Sequence, residues 1–483
     1  MDQRPWTWLL VGALLLVASQ VRLGVGVLAW IAPVPFLHYI RLTDGWRSRL
    51  TFGVVSFAAW FAAIVKIMTD PLPAIAAVGW AGPFSLLLVL PYFGWSYARR
   101  RLGEGAATVA FGTMMVVGEW LLHSALPFGV WGSAANTQVD QLALLQLASV
   151  TGLHGVSFLM YLFAAVLERG LNGERATVRA SAWCTGAAVV AAIAFGQLRL
   201  GLASFDTNPT RRVAAVGTDS VVGIGPELPT PQRLAQDERG LVRRTTTAAR
   251  AGAELVVWNE AATMVWPQDE PAWQERLKGL ARRLDIDLVA AYVVPLQTEP
   301  LLYENKYVFV RADGTIAHTY LKHEPVPGEP AVRGEGSMPL VQDERGAVGG
   351  AICYDYDFPN VALANARNGA DIVALPSSDW RGIDPIHTQM AAIRAIEGGT
   401  SVLRSTRFGL SAGIDPWGRI RGWDSAWDSS ERVLLVRLPR RGVETVYARL
   451  GDWFPATCVL ISVWLLFMAV RRPLSMHEAP PPS

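Results

Sequence analysis

Charged residues, lysine and cysteine are all scarce in this sequence. Only 17% of the 483 residues are charged and 51% are hydrophobic, a composition that excludes an ordinary soluble enzyme. Of the 43 basic residues only four are lysine, so a lysine kept within a motif indicates that an ammonium group is needed there. The arginines are dispersed along the chain and the net charge is +2, so we expect no nucleic-acid partner.

Three cysteines do not form the framework of a disulfide-stabilised domain. Cys184 and Cys458 fall within long apolar runs, which leaves Cys353 as the only cysteine of the more polar region between them. A lone cysteine is usually a small buried hydrophobe. The alternative is a reactive thiol, and the residues around Cys353 favour it.

Long apolar runs, in contrast, are abundant. A helix needs about 20 mostly apolar residues to cross a membrane. The sequence predicts about eight such spans, at residues 7–21, 25–41, 50–67, 74–97, 106–125, 150–168, 181–198 and 453–470. This predicts a bundle of about seven helices over 1–200, a C-terminal membrane helix over 453–470 and a cytoplasmic tail over 471–483.

The loops between these runs predict the orientation. With eight spans, most of the loop arginines lie on one side, including those at 99–101 and at 471–472. Loops rich in arginine stay in the cytoplasm, so both termini are expected there and residues 208–441 outside it. The segment 126–147 is not a clean span, because it carries Pro127 and two glycines. It is either an interfacial loop or one wall of a cleft that admits lipid.

Residues 208–441 have the composition of a soluble α/β domain, in which three apolar strand-like runs each lead to a residue capable of chemistry. The run 254–258 leads to Glu260, a hairpin over 307–320 leads to Lys322, and the run 348–352 leads to Cys353. Helical patterns alternate with the strands, which predicts a layered α/β domain. In such folds the functional residues gather at the carboxyl ends of strands.

Each of these three residues has an ordinary interpretation and a chemical one. Glu260 is either a solvated charge or a desolvated carboxylate that acts as a general base. Lys322 is either a surface charge or an ammonium that stabilises an oxyanion. Cys353 precedes a segment that resembles the start of a helix, and a helix N-terminus lowers the pKa of a thiol. Cys353 is therefore expected to be a nucleophile.

In this chain order, Glu260, Lys322 and Cys353 resemble the glutamate–lysine–cysteine triad of the nitrilase, or carbon–nitrogen hydrolase, superfamily. Further matching motifs lie at 377–380, 387–397 and 404–418, and motifs in the apolar part at 118–120, 126–128 and 146–158 are similar to those of the apolipoprotein N-acyltransferase family. The resemblance covers almost the whole chain. It implies a multi-pass α-helical membrane bundle with a nitrilase-like α-β-β-α sandwich domain.

The resemblance also implies a function. In that family a phospholipid such as phosphatidylethanolamine passes an acyl chain to the cysteine, and the N-terminal amine of a diacylglyceryl-cysteine lipoprotein accepts it. This places the chain in the bacterial inner membrane, with a periplasmic catalytic domain and no cofactor or metal, and we expect a monomer. Supporting roles are implied for Glu329, Tyr354 and Asp355, and the candidates for substrate binding are Trp380, Trp131 and Phe128.

Some positions depart from the family pattern. The loop Pro327-Gly328-Glu329 is one residue shorter than usual, Asp355 stands where glutamate is common, and Arg407 stands where asparagine is common. These departures leave room for a paralogue with another acyl acceptor. Two further alternatives stay open: a membrane-anchored amidase that uses water, since the triad chemistry is shared, and a non-catalytic lipid-binding or assembly protein. His323 and His387 have no metal-ligand spacing with other residues and are expected to be structural.

Overall fold

The computed structural model describes residues 4–172, 175–203, 209–222 and 228–472. The chain divides into two compact units. The membrane unit comprises Met1–Met68, Leu72–Arg199 and Leu450–Ser483, and the soluble unit comprises Thr69–Pro71 and Leu200–Arg449. Most of the predicted tail, from residue 473 onward, lies outside the described residues.

Helices account for most of the membrane unit and strands for the core of the soluble unit. The α-helices are α1 (Pro5–Ser19), α2 (Pro33–Leu42), α3 (Trp46–Val65), α4 (Ala77–Leu102), α5 (Glu104–Ala125), α6 (Leu142–Leu145), α7 (Ala148–Thr151), α8 (Leu153–Leu171), α9 (Arg175–Gly201), α10 (Pro231–Arg250), α11 (Glu270–Leu284), α12 (Pro359–Arg367), α13 (Ile386–Gly398), α14 (Val446–Leu450) and α15 (Trp453–Arg471). The strands are β1 (Thr210–Val216), β2 (Leu255–Trp258), β3 (Asp287–Thr298), β4 (Leu301–Val310), β5 (Ile316–Leu321), β6 (Leu340–Asp343), β7 (Gly346–Gly350), β8 (Ile372–Ser378), β9 (Ser401–Arg407), β10 (Leu410–Ile414), β11 (Ile420–Ser425) and β12 (Val433–Pro439).

The predicted spans all fall on helices, but not all of these helices are long enough to cross a membrane alone. Within the described residues, five helices have the length and apolar composition of a span: Trp46–Val65, Ala74–Leu102, Glu104–Ala125, Val178–Gly201 and Trp453–Arg471. A sixth is the pair Leu142–Thr151 and Leu153–Leu171, bent by 116°. Pro5–Ser19 and Gly26–Leu42 are shorter apolar helices. The number eight is therefore approximate.

A buried carboxylate fixes the irregular segment 126–147 within the membrane unit. Glu119 of α5 is fully buried, where an unpaired carboxylate is very costly. It accepts hydrogen bonds from Ser133 Oγ at 2.9 Å, from the amide of Ala134 at 2.9 Å and from Tyr161 Oη of α8 at 2.6 Å. Through Ser133 and Ala134 the segment is thus held between α5 and α8.

The soluble unit is built on two six-stranded sheets. Their strand orders are β12-β1-β2-β3-β4-β5 and β11-β10-β9-β8-β7-β6. In each sheet the three central strands that carry crossover helices are parallel, β1-β2-β3 in one and β7-β8-β9 in the other. The sheets face each other through β1 and β2 on one side and β8 and β9 on the other.

Helices cover the outer face of each sheet. Helices α10 and α11 pack against the first sheet, and α13, with α12 beside it, packs against the second. Every residue of β2 and β9 is buried, as expected for strands covered on both faces. This arrangement confirms the predicted α-β-β-α sandwich, in which the carboxyl ends of the parallel strands come together.

Candidate active site

Two residues of the predicted triad form a buried ion pair. Glu260 lies two residues after the end of β2, and Lys322 directly follows β5. Lys322 Nζ lies 2.7 Å from Glu260 Oε1, and the two residues are only 1% and 3% exposed. Neither is the solvated surface charge that its residue type usually is, because burial of each charge requires the other.

Glu329 completes this charge cluster. Its Oε2 lies 2.7 Å from Lys322 Nζ and accepts the amide of Val326 at 2.9 Å. Asn305 of β4 donates from Nδ2 to Glu260 Oε1 at 2.7 Å and to Glu329 Oε1 at 2.9 Å. The one-residue deletion in this loop therefore leaves the carboxylate within reach of the lysine.

The opposite charges of Lys322 and of the two glutamates stabilise one another in their buried positions. Although burial alone lowers the pKa of Lys322, the negative charges of Glu260 and Glu329 raise it well above its ordinary value. Burial opposes the charge of Glu329 as well, but Lys322 and the hydrogen bonds hold the pKa of Glu329 below its ordinary value. At neutral pH Lys322 is thus an ammonium and Glu329 a carboxylate.

Cys353 lies in a tight turn and not at the start of an α-helix. Residues Cys353–Asp357 form one 3-10 turn, and α12 begins only at Pro359. Cys353 has φ of +49°, a strained conformation for a residue with a side chain and one that often marks functional sites. Its thiol donates to the carbonyl of Ser378 at 3.3 Å, and the Ser378 amide lies 3.5 Å from the sulfur.

The predicted lowering of the thiol pKa is wrong for the resting protein. Cys353 is 4% exposed, and burial, with the negative charge of Glu260, raises the pKa of its thiol well above the ordinary value, although Lys322 acts in the opposite direction. The site therefore holds a neutral thiol beside a carboxylate. A thiol in this state would need a base at the site to act as a nucleophile.

Asp355 anchors the turn that carries the cysteine. Its Oδ2 accepts hydrogen bonds from the amide of Ile352 and from Tyr320 Oη, both at 2.9 Å. Its Oδ1 accepts a hydrogen bond from the amide of Glu324 at 2.6 Å. Burial raises the pKa of Asp355 to about 7. Tyr354 is buried, with its ring against Phe358 at 5.4 Å. Asp355 thus joins the cysteine turn to β5 and the loop of Lys322.

A second buried network joins the cysteine turn to the end of β8. Sequence spacing indicated no carboxylate beside His387, but Nδ1 lies 2.7 Å from Asp379 Oδ1 and Nε2 lies 3.0 Å from Asp357 Oδ1. Arg404 Nη2 also lies 2.7 Å from Asp379 Oδ1. Asp357 belongs to the cysteine turn, and Asp379 directly follows Ser378, the residue that contacts the thiol. His387 therefore links the turn that carries the sulfur to the strand end that contacts it.

The same network bears on whether a metal ion fits. Cys353, Asp379 and His387 offer donor atoms that lie within 4.8 Å of one another. Both ring nitrogens of His387 are engaged by carboxylates, and although burial and Arg404 act against it, Asp357 and Asp379 raise the pKa of His387 to about 9. A protonated imidazole is no metal ligand. The metal-free site predicted from the sequence fits these pairings and stays a prediction.

Comparison with known proteins identifies the family. Residues 12–166 match the model for the apolipoprotein N-acyltransferase N-terminal domain, and residues 212–447 match that for carbon-nitrogen hydrolase. The apolipoprotein N-acyltransferase of Geobacter metallireducens is 27% identical over 99% of this chain and 97% of its own length, and that of Bradyrhizobium diazoefficiens is 28% identical over 81% and 80%. The chain belongs to the apolipoprotein N-acyltransferase family.

The resemblance seen in the sequence is thereby confirmed, and so is the carbon–nitrogen hydrolase fold of the soluble unit. Among solved structures, an amidase from Nesterenkonia sp. matches with a TM-score of 0.39 and 20% identity, and covers 53% of this chain and 96% of its own. As a member of the apolipoprotein N-acyltransferase family with several long apolar helices, the chain is a bacterial membrane protein.

The substrate-binding residues predicted for this member of the apolipoprotein N-acyltransferase family lie in different units. Trp380 is half-buried and directly follows Asp379 in the soluble unit. Phe128 and Trp131 are buried in the membrane unit. The ring of Phe128 packs against that of Trp80 at 4.7 Å. The packing of Phe128 is that of a core side chain, and the substrate-binding role of all three residues stays a prediction.

The sequence alone did not predict that two further residues, Asn305 and Arg407, belong to the site. Asn305 lies in mid-strand, but its backbone pairs with that of Lys322, so a hairpin register would have placed it beside the lysine. Arg407 was noted only as a departure from the family. Arg407 is buried and donates a hydrogen bond to Ser378. This contact depends on the register between β8 and β9, which the sequence alone does not show.

The His387 network has a testable dependence on pH. A histidine whose folded-state pKa is about 9 stabilises the fold below its unfolded-state value of 6.5, and this contribution is lost as the pH rises through about 9. We expect the thermal midpoint of the wild type to fall between pH 6.5 and about 9 more steeply than that of His387→Gln. Tryptophan fluorescence of the detergent-solubilised protein measures both.

His318→Gln is the control for that comparison. Burial lowers the pKa of His318, so its removal should leave the decline between pH 6.5 and 9 as it is in the wild type. Comparing each variant with the wild type cancels the contribution of other groups, including Asp355. Equal slopes for the wild type and His387→Gln would show that His387 is uncharged in the folded protein.

Proposed function

We propose that this chain moves an acyl group from a membrane phospholipid, through a thioester on Cys353, to the N-terminal amine of a diacylglyceryl-cysteine lipoprotein. The observation that carries the proposal is the buried cluster of Glu260, Lys322 and Glu329, in which Glu260 and Lys322 act electrostatically on the buried thiol of Cys353. The two parts of the chain also match the two domains of this family. The chemistry needs a base, a cation and a nucleophile, and the cluster supplies each.

In the first half-reaction the sulfur of Cys353 attacks the ester carbonyl of the phospholipid while Glu260 takes the thiol proton. The Lys322 ammonium and backbone amides near Tyr354 stabilise the negative oxygen of the tetrahedral intermediate. The carbon–oxygen bond then breaks, and the leaving alkoxide receives the proton from Glu260. A lysophospholipid departs and a thioester remains.

In the second half-reaction the lipoprotein amine attacks the thioester carbonyl and gives up a proton to Glu260. The carbon–sulfur bond breaks, an amide forms, and the sulfur regains the proton. The enzyme returns to its initial state after two sequential acceptors, which is a ping-pong mechanism. Nothing in this sequence of steps requires a cofactor.

The membrane unit suits substrates that are themselves lipids. Both donor and acceptor are anchored in a bilayer, and a multi-pass protein keeps its catalytic unit at that surface. From the arginine-rich loops, we propose the inner membrane as the location, with the soluble unit on the periplasmic side. Action as a monomer is part of the same proposal.

A membrane-anchored amidase is not favoured, because a hydrolase of soluble amides has no need for the first part of the chain. That part matches the N-terminal domain of apolipoprotein N-acyltransferases over residues 12–166. A paralogue with another acyl acceptor would keep the first half-reaction and differ only in the second.

The test supplies purified protein with a phospholipid carrying a labelled acyl chain and a synthetic diacylglyceryl-cysteine peptide. We expect the label to appear in an amide on the peptide, with one lysophospholipid formed for each amide. A peptide with a blocked N-terminal amine is the matched control and should stay unlabelled. Label found only as free fatty acid would favour the hydrolase and overturn the proposal.

A further inference from the structure

A further buried cation, besides Lys322 and Arg404, lies beside the triad. Arg407 is the last residue of β9 and is only 4% exposed. Its Nε donates to Ser378 Oγ at 2.8 Å, Nη1 to the carbonyl of Ser220 at 2.8 Å and Nη2 to the carbonyl of Val222 at 2.7 Å. The planar guanidinium thus joins the end of β8 to the chain that follows β1.

Arg407 contacts the residue that holds the nucleophile. Ser378 and Arg407 are partners in the parallel register of β8 and β9. The carbonyl of Ser378 accepts a hydrogen bond from the thiol of Cys353 at 3.3 Å, and the amide of Ser378 lies 3.5 Å from the same sulfur. A shift of Ser378 therefore moves both groups that fix the sulfur, and the guanidinium restrains that shift through the side-chain hydroxyl.

The charge of Arg407 also balances the site. The carboxylates of Glu260 and Glu329 face one ammonium, that of Lys322, so the triad and its second glutamate alone carry one net negative charge. Burial lowers the pKa of Arg407, and the charges of Glu260, Cys353 and Glu329 act in the opposite direction. A guanidinium keeps its proton even so, and with it the cluster is neutral before the thiol ionises.

We propose that Arg407 is a positioning residue for Cys353: it fixes Ser378 against the sulfur and adds a buried positive charge, beyond those of Lys322 and Arg404, that favours the thiolate. The role rests on the proposed function only in naming Cys353 as the nucleophile. Because it concerns the thiol itself, it is measurable without any lipid substrate.

The experiment measures the rate at which iodoacetamide alkylates Cys353 as a function of pH, in the full-length protein in detergent. Peptide mass spectrometry reads Cys353 separately from Cys184 and Cys458. The other charged groups near this thiol are Glu260, Lys322, Asp379 and Arg404, together with His387, whose ring nitrogen lies within 4.8 Å of the sulfur, and all of them stay unchanged in every variant. The variants are Arg407→Gln, which loses the charge, and Arg407→Lys, which keeps it but loses the planar set of donors.

We expect Arg407→Gln to raise the apparent pKa of the thiol by roughly one unit, because a nearby positive charge favours the thiolate. Alkylation below that pKa then slows about tenfold. In Arg407→Lys the thiol pKa should stay near that of the wild type, while the thermal midpoint falls as in Arg407→Gln. This split separates the charge of Arg407 from its hydrogen bonds.

Arg211→Gln is the matched control. Arg211 is also a fully buried arginine, paired with Asp287, but it lies near the start of β1, roughly 15–20 Å along the strand from its carboxyl end. It should lose stability without a change in the thiol profile. Identical profiles for the wild type and Arg407→Gln, or equal shifts in both Arg407 variants, would overturn the proposal. Failure of lipid acylation alone would instead count against the proposed function.

Discussion

Incubation with phosphatidylethanolamine is expected to add one fatty-acyl mass to the wild-type chain and none to Cys353→Ala. In the proposed mechanism the sulfur of Cys353 keeps the acyl group between the two half-reactions, and without an acceptor the thioester has no second step. Intact-protein mass spectrometry in detergent, with no lipoprotein peptide present, measures the adduct directly. The loss in Cys353→Ala should be complete, because alanine offers no nucleophile.

Two further variants make this measurement specific. Cys184→Ser removes the exposed cysteine of the membrane unit and should keep the full adduct. Cys353→Ser keeps the shape of the side chain but offers a weaker nucleophile, and we expect its adduct to form at least about a hundredfold more slowly. An adduct that persists in Cys353→Ala, or that disappears in Cys184→Ser, would place the thioester elsewhere and remove the basis of the proposed mechanism.

The placement of the triad residues at strand ends was predictable from the sequence, because each of them follows a short apolar run that is typical of a buried strand. Glu260, Lys322 and Cys353 each follow a strand by one to three residues, and parallel strands bring such positions to one edge. The contacts of Asn305 and Arg407 depend on the strand register. Register is decided by packing across the whole sheet and not by the residues of one strand.

The state of the thiol could not be predicted in the same way. Residues 355–359 resemble a helix start because Pro359 suits the first helical turn, and α12 does begin there. Residues Cys353–Asp357 form a separate turn before it, held by the hydrogen bonds of Asp355 with the amides of Ile352 and Glu324. The electrostatics of Cys353 therefore come from burial and Glu260 and not from a helix terminus.

The membrane part was predictable where hydropathy alone decides and less so where polar groups do. The run that ends at Ala125 is a helix as expected, whereas the course of the next segment depends on Glu119. Its carboxylate accepts bonds from Ser133 and from the amide of Ala134, which makes an irregular backbone tolerable inside an apolar bundle. A hydropathy profile does not show that Glu119 pairs with residues 133 and 134.

Replacement of Lys322 by methionine is expected to abolish acylation and to destabilise the soluble unit. The substitution leaves Glu260 and Glu329 buried together, both bonded to Asn305, with no cation between them. Loss of one partner of a buried ion pair costs about 3–5 kcal/mol. One carboxyl group must then take up a proton, and a protonated Glu260 cannot accept the proton of the thiol.

Two losses therefore combine in Lys322→Met. The oxyanion of the tetrahedral intermediate loses a cation, which slows such reactions by about 10²–10³, and the base is partly blocked. We expect the rate of acyl-adduct formation on Cys353 to fall by at least about a thousandfold, measured by the same mass spectrometry over time. The thermal midpoint should fall as well.

A double variant separates these two effects. Lys322→Met with Glu329→Gln removes one charge of each sign, so the remaining Glu260 faces a neutral neighbour. We expect the thermal midpoint to recover most of its loss, because like charges no longer share one site, while acylation stays at the level of Lys322→Met. Recovery of stability without recovery of rate would assign the ammonium a chemical role beyond that of a structural counter-ion.

Lys278→Met is the matched control, since Lys278 is another of the four lysines and forms an ion pair with Glu275 at the surface, 2.7 Å away. A surface pair contributes at most about 1 kcal/mol, so both rate and thermal midpoint should stay near those of the wild type. If Lys322→Met kept more than about a tenth of the wild-type rate, the lysine would not stabilise the oxyanion. The mechanism would then have to rely on backbone amides alone.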